Sequence, residues 1–145
     1  MNVNSDSLPL RFVIHHIHPT SARLRFLLSP LTHIVWPTAL PKLSELLDAR
    51  DSQHCLALHP AQYLKQLSQS LQIDPKLFSI VPEFRQWVDT PGAKLPIYLV
   101  KVEQEQPFAA PEGCRWIELP DCFALEGIER LIMRCVYDFL LGHDN

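Results

Sequence analysis

An amphipathic helix over Pro60–Leu71, hemmed in by strand-sized apolar runs, leaves this chain few architectures to choose from. Leu64, Leu67 and Leu71 recur at i, i+3 and i+7, so one leucine stripe turns towards a core. Asp74-Pro75 follows as a second start signal, and Phe78, Ile80, Val81, Phe84 and Trp87 continue the apolar run. The helix's other face reads Lys65, Gln66, Ser68, Gln69, Ser70 and Gln72. Chemistry on this helix would have to use that face, and it carries no carboxylate.

The runs around it have the composition of strands. Leu10–His18 is rich in β-branched and aromatic residues, Pro19-Thr20-Ser21 turns the chain, and Ala22–Leu28 alternates Leu24, Phe26 and Leu28 with Arg23 and Arg25. A hairpin is the simplest pairing of these two, and His33–Trp36 adds a short third strand stopped by Pro37. Thr38–Arg50 carries Leu40, Leu43, Leu46 and Leu47 at helical spacing with Pro41 in the first turn, which predicts a short helix. Cys55–Leu58 fits a short strand or an irregular connection. Beyond the central helix, Ser79–Pro82 and Phe84–Val88 read as extended, Thr90-Pro91-Gly92 as a turn, and Leu95–Val102 as the best strand of the chain. Cys114–Leu119 is a last short strand after a proline-rich loop over Pro107–Gly113. The closing helix spans Leu125–Leu141, with Ile128, Leu131, Ile132, Cys135 and Phe139 as its apolar stripe and Gly142 at its C-terminal cap. Strands on both sides of a central helix predict an α/β (α+β) domain, a mixed sheet sandwiched by helices.

Composition bounds what such a domain does. With 145 residues, nearly half of them hydrophobic, the chain reads as one domain over 1–145, with residues 1–9 polar at the start and flexible. The net charge is -3 and the basic residues are scattered, so nothing points to nucleic acid. The apolar runs fall short of the ~20 residues that cross a bilayer. Met1–Leu10 lacks the pattern of a signal peptide, so the expectation is a soluble, cytoplasmic protein without a membrane partner. Four cysteines, Cys55, Cys114, Cys122 and Cys135, stand far apart without a CxxC pair and read as buried free thiols. The first glycine is Gly92, which rules out a glycine cradle for phosphate anywhere upstream.

From Ala22 onward the order of elements, with Tyr98-Leu99-Val100, Arg115-Trp116-Ile117-Glu118-Leu119 and a closing helix, resembles the Nudix hydrolase fold. In that family an Arg-Glu-hydrophobic-x-Glu-Glu-x-Gly-hydrophobic run lies on the central helix, and its carboxylates hold a divalent metal against a substrate diphosphate. The stretch here that matches in position is Lys65-Gln66-Leu67-Ser68-Gln69-Ser70-Leu71-Gln72-Ile73. Leu67 and Ile73 keep the hydrophobic positions. Gln66, Gln69 and Ser70 stand where the resemblance puts glutamates, and Gln72 stands where it puts glycine. A hard cation such as Mg²⁺ needs anionic oxygens, which amides and hydroxyls do not supply. The resemblance therefore implies a degenerate Nudix-like domain with no catalytic residues, no cofactor and no metal site.

Three readings of function follow. The first is a non-catalytic module that binds a ligand or regulates, with Lys65, Gln69, Arg85 and Trp87 meeting a small anionic or nucleotide-like molecule; Arg25 and Trp36 are further candidates for its charge and its flat ring. The second is an interaction protein, for instance a homodimer, using the edges of His33–Trp36 or Leu95–Val102. The third is a metal-dependent nucleoside-diphosphate hydrolase whose carboxylates have moved to Glu103, Glu105 or Glu126. His16 and His18 share a strand face and offer two imidazoles to a metal, with His33, His54 and His59 as further ligands only if the fold gathers them.

Overall fold

The computed structural model describes residues 9–52, 55, 59–125 and 127–142. Its centre is a pair of parallel strands, β1 (Arg11–Ile17) and β7 (Lys94–Val102), in which Val13 lies opposite Leu99. Each has a divided outer edge. Two antiparallel strands share the far edge of β1: β2 (Leu24–Leu28) pairs with its C-terminal half and β3 (Val35–Trp36) with its N-terminal half. The far edge of β7 is shared in the same way by β5 (Phe78–Ile80) and β6 (Gln86–Asp89). The sheet ends at β8 (Arg115–Glu118) beside β2 and at β4 (Glu45–Leu46) beside β6.

Period-two alternation along these strands makes two cores. On one face Leu10, Phe12, Ile14, Tyr98 and Val100 pack against Leu64 and Leu67 of α2 (Ala61–Leu71). On the other, Val13, Phe26, Val88, Ile97 and Leu99 pack against Ile132, Met133 and Val136 of α4 (Gly127–Gly142). Among the described residues there are also two single-turn helices, α1 (Ala49–Ser52) and α3 (Leu119–Cys122), and a 3-10 turn over Pro75–Leu77. The expected mixed sheet between helices is present, as are the first hairpin and the strands after α2.

Helix α2 begins after Pro60 and ends on Gln72, which adopts a left-handed conformation at φ 58°. The Gln72 and Ile73 amides close the last turn by donating to the carbonyls of Gln69 and Ser68. The position that glycine occupies in the Nudix pattern thus has the backbone glycine favours, filled by a glutamine.

Two expectations are corrected. Thr38–Arg50 is not a helix: Glu45–Leu46 forms the edge strand β4, only Ala49–Ser52 is helical, and Leu43 is 88% exposed at φ 65°. The buried guanidinium of Arg11 explains why. Its Nε and Nη2 donate to the carbonyls of Thr38 and Ala39 and so hold the start of the segment against β1, while the pairing of β4 with β6 holds its far end extended. The second correction is one of rotation. Leu131 is on the outside of α4, whereas Met133 and Val136 are inside with Ile132; Ile128 and Cys135 are half-buried. The reading of Cys55–Leu58 falls largely outside the described residues, as do His54 and Glu126.

Candidate functional site

The i, i+3, i+4, i+7 geometry of a helix puts Tyr63, Gln66, Leu67 and Ser70 on one stripe of α2, where they line a groove of about 200 Å³. Leu10 and Phe12, just before and in β1, and Pro37, just after β3, make its other wall. Gln66 and Ser70, two of the three residues standing where the Nudix pattern has glutamates, therefore meet at one groove. The third, Gln69, is exposed on α2, one turn from Gln66. The Ser70 hydroxyl donates to the carbonyl of Leu67 at 2.8 Å, which leaves its lone pairs turned outward. The groove is thus apolar at its base and neutral at its rim. It suits a flat or aliphatic group held by a few hydrogen bonds.

The four predicted ligand residues divide into two pairs. Lys65 and Gln69 are exposed one turn apart on α2. Arg85 and Trp87 lie two residues apart before and in β6, and the Arg85 guanidinium sits 5.7 Å above the ring of Tyr98. Tyr98 is itself buried against the α2 core, so this stacking fixes a cation on the α2 side of the sheet. Trp87 is only 7% exposed and Trp36 5%, and the Trp36 indole donates to the carbonyl of Leu27. Both rings serve packing, which corrects the expectation that either is an open stacking platform. Arg25 lies on β2 opposite His16 and Glu118, on a different part of the sheet from α2's groove.

Among the described residues, His16, His18, His33 and Glu129 are engaged within the fold. His16 is fully buried, with Nε2 donating to the carbonyl of Gln104 at 2.8 Å and its ring edge-on to Trp116. His18 accepts the amides of Thr20 and Ser21 at Nδ1. His33 is bonded to the carbonyl of Val35 and its pKa is lowered by burial. Among the described residues, no three His, Cys, Asp or Glu side chains come together in a way that could hold a metal ion. Glu103 pairs with Lys101 at 3.6 Å and Glu105 is exposed beyond the end of β7. Glu129, on the first turn of α4, accepts the amide of Ile34 at 2.9 Å, and burial raises its pKa. The four cysteines are free; Cys122 is buried and pushed up to about 11, a protonated and unreactive thiol, and the other three are half-buried.

No protein-family model and no curated protein sequence matches the chain. A solved structure does. The crystal structure of C. elegans Ap4A hydrolase superposes with a TM-score of 0.53 at 16% identity, over 89% of this chain and 94% of that one. The fold is Nudix-like. At that identity the likeness concerns the arrangement of sheet and helices, and the Nudix-like domain described here has its own side chains on α2. Tyr63, Leu10, Phe12 and Pro37 are groove residues that the sequence pattern alone does not mark. Tyr63 was detectable in principle, because it stands one turn before Gln66 and Leu67. The wall from β1 and Pro37 depends on the tertiary fold. Among the described residues, no helix is long and apolar enough to cross a membrane.

Proposed function

We propose that this Nudix-like domain is a non-catalytic module that binds a small anionic or nucleotide-like ligand, or regulates through such binding. The observation that carries the reading is the substitution of amide and hydroxyl groups for carboxylates on α2. Gln66 and Ser70 at the groove and Gln69 beside it cannot fix a divalent cation, and so cannot position an attacking water or neutralise charge developing on a phosphoryl group. Lys65 on α2 and Arg85 above Tyr98 are the cations available to an anionic group. The neutral groove supplies surface for the rest of such a ligand.

The test has two arms on the same compounds: nucleoside triphosphates, dinucleoside polyphosphates and nucleotide sugars. With Mg²⁺ or Mn²⁺ added, product analysis is expected to find no turnover. In thermal denaturation a bound compound at a hundredfold excess over its Kd is expected to stabilise the fold by about 2.7 kcal/mol, and Lys65→Ala and Arg85→Ala are expected to reduce that gain. Turnover that disappears in Glu103→Gln, Glu105→Gln or Glu126→Gln would replace this reading with a hydrolase of relocated carboxylates.

A further inference from the structure

Helix α4 buries Ile132, Met133 and Val136, and at 100° per residue the face directly opposite carries Leu131, Arg134, Asp138 and Leu141 within one narrow arc. That outward face is not the uniformly polar surface expected of a helix covering a sheet. Leu131 and Leu141 are 48% and 51% exposed, and Arg134 and Asp138 between them are exposed as well. The spacing has a symmetry. Leu131 and Leu141 lie equally far on either side of Val136, and so do Arg134 and Asp138. About that centre the pattern is symmetric in hydropathy and antisymmetric in charge.

We infer that this face docks against the same face of a second copy of the chain, with the two α4 helices antiparallel and a twofold axis at Val136. In that arrangement each Leu131 meets the other copy's Leu141, and each Arg134 faces the other copy's Asp138. Every contact occurs twice, as an isologous interface requires. The ion pairs found among the described residues are Arg23–Glu118 and Lys101–Glu103, so the charges of Arg134 and Asp138 stay open to a partner. Leu131, Arg134 and Asp138 of the stripe also line a groove of about 580 Å³ between α3 and α4, which Phe123, 65% exposed, borders on the α3 side. It extends the apolar surface that the second helix would cover. An acidic peptide or an anionic membrane is disfavoured as occupant by Asp138 in the middle of the stripe. A second copy answers that carboxylate with its own arginine.

The experiment is sedimentation velocity on the full chain over a concentration series. Wild type is expected to reach twice its 16.7 kDa mass at the upper end. Arg134→Glu alone and Asp138→Arg alone each set like charges across the axis and are expected to weaken association roughly tenfold or more. An equimolar mixture of the two variants is expected to recover the dimer, because opposite charges then face each other at both positions. Only an antiparallel pairing of this chain with itself predicts that recovery. Wild type that stays monomeric throughout would overturn the inference. So would variants that associate as wild type does, or a mixture that stays monomeric while each variant keeps the wild-type melting temperature.

Discussion

The Nδ1 of His15 donates to the carbonyl oxygen of Val100 across 2.7 Å, so a side chain as well as the backbone ladder ties β1 to β7. The ring is 1% exposed, and burial lowers its pKa from 6.5 to about 4. Between those values the unfolded chain binds a proton that the folded chain refuses, so stability rises with pH across this window and is lost as pH falls through it. The His15 contribution from pH 7 to pH 5 is a loss of about 2 kcal/mol. Burial lowers the pKa of His33 too, which acts in the same direction. Denaturant titrations at the two pH values are expected to show a smaller loss in His15→Gln, which keeps an N–H donor without titrating. Equal losses in variant and wild type would remove His15 as the cause.

Leu67 is 3% exposed and joins α2 to the core beneath it. Leu67→Ala is expected to cost ~2–5 kcal/mol, the range for a buried leucine that leaves a cavity. Urea unfolding measures this directly. A cost below about half a kilocalorie, the size of an ordinary surface substitution, would mean that α2 is not seated by its leucine stripe.

Arg11 is fully buried, and its guanidinium donates to the carbonyls of Leu10, Thr38 and Ala39. Arg11→Met leaves the buried carbonyl of Leu10 and the half-covered carbonyls of Thr38 and Ala39 short of donors, and the expected loss is about 3 kcal/mol. Hydrogen exchange is expected to rise in residues 38–47 before it rises in β1. Unchanged protection there would show that the connection is held by other contacts.

His16 and His18 are expected to hold no stoichiometric metal. The Nε2 of His16 is committed to the carbonyl of Gln104, its Nδ1 is enclosed within the protein, and the Nδ1 of His18 already accepts two amides. Elemental analysis of protein purified without an affinity tag checks this. Zinc or nickel at one equivalent, lost in His16→Ala/His18→Ala, would contradict it.

The legible parts of the fold were those where local pattern and tertiary demand agree. Residues 10–16 and 95–100 are buried on both faces and rich in β-branched and aromatic side chains because they become the two central strands, under a helix on each side. Leu64 and Leu67 point inward because α2 lies flat on the sheet. Residues 38–50 misled because their leucines have helical spacing, while their backbone is claimed by a distant arginine and by an edge pairing with Val88 and Asp89. Nothing local to that segment records either partner. In α4 the period was readable but the phase was not, since Leu131 and Met133 are both apolar and only the packed sheet selects between them. The α2 face was legible as residue types, and the groove beside it was not, because its other wall comes from β1 and Pro37.

The parallel pairing of β1 with β7 also sets the order in which the molecule assembles. Val13 waits for Leu99, and most of the chain must leave the ribosome before the two meet. Until then β2 and β3 cover only one edge of β1, and the other is a row of unsatisfied amides and carbonyls flanked by Phe12, Val13 and Ile14. Closing a loop of that length carries an entropic cost before any contact offsets it, which makes the step slow compared with the local hairpin. A ribosome stalled before Lys94 would hold a nascent chain whose central strand β1 is open on one side, a template for a neighbouring polypeptide and a target for a chaperone.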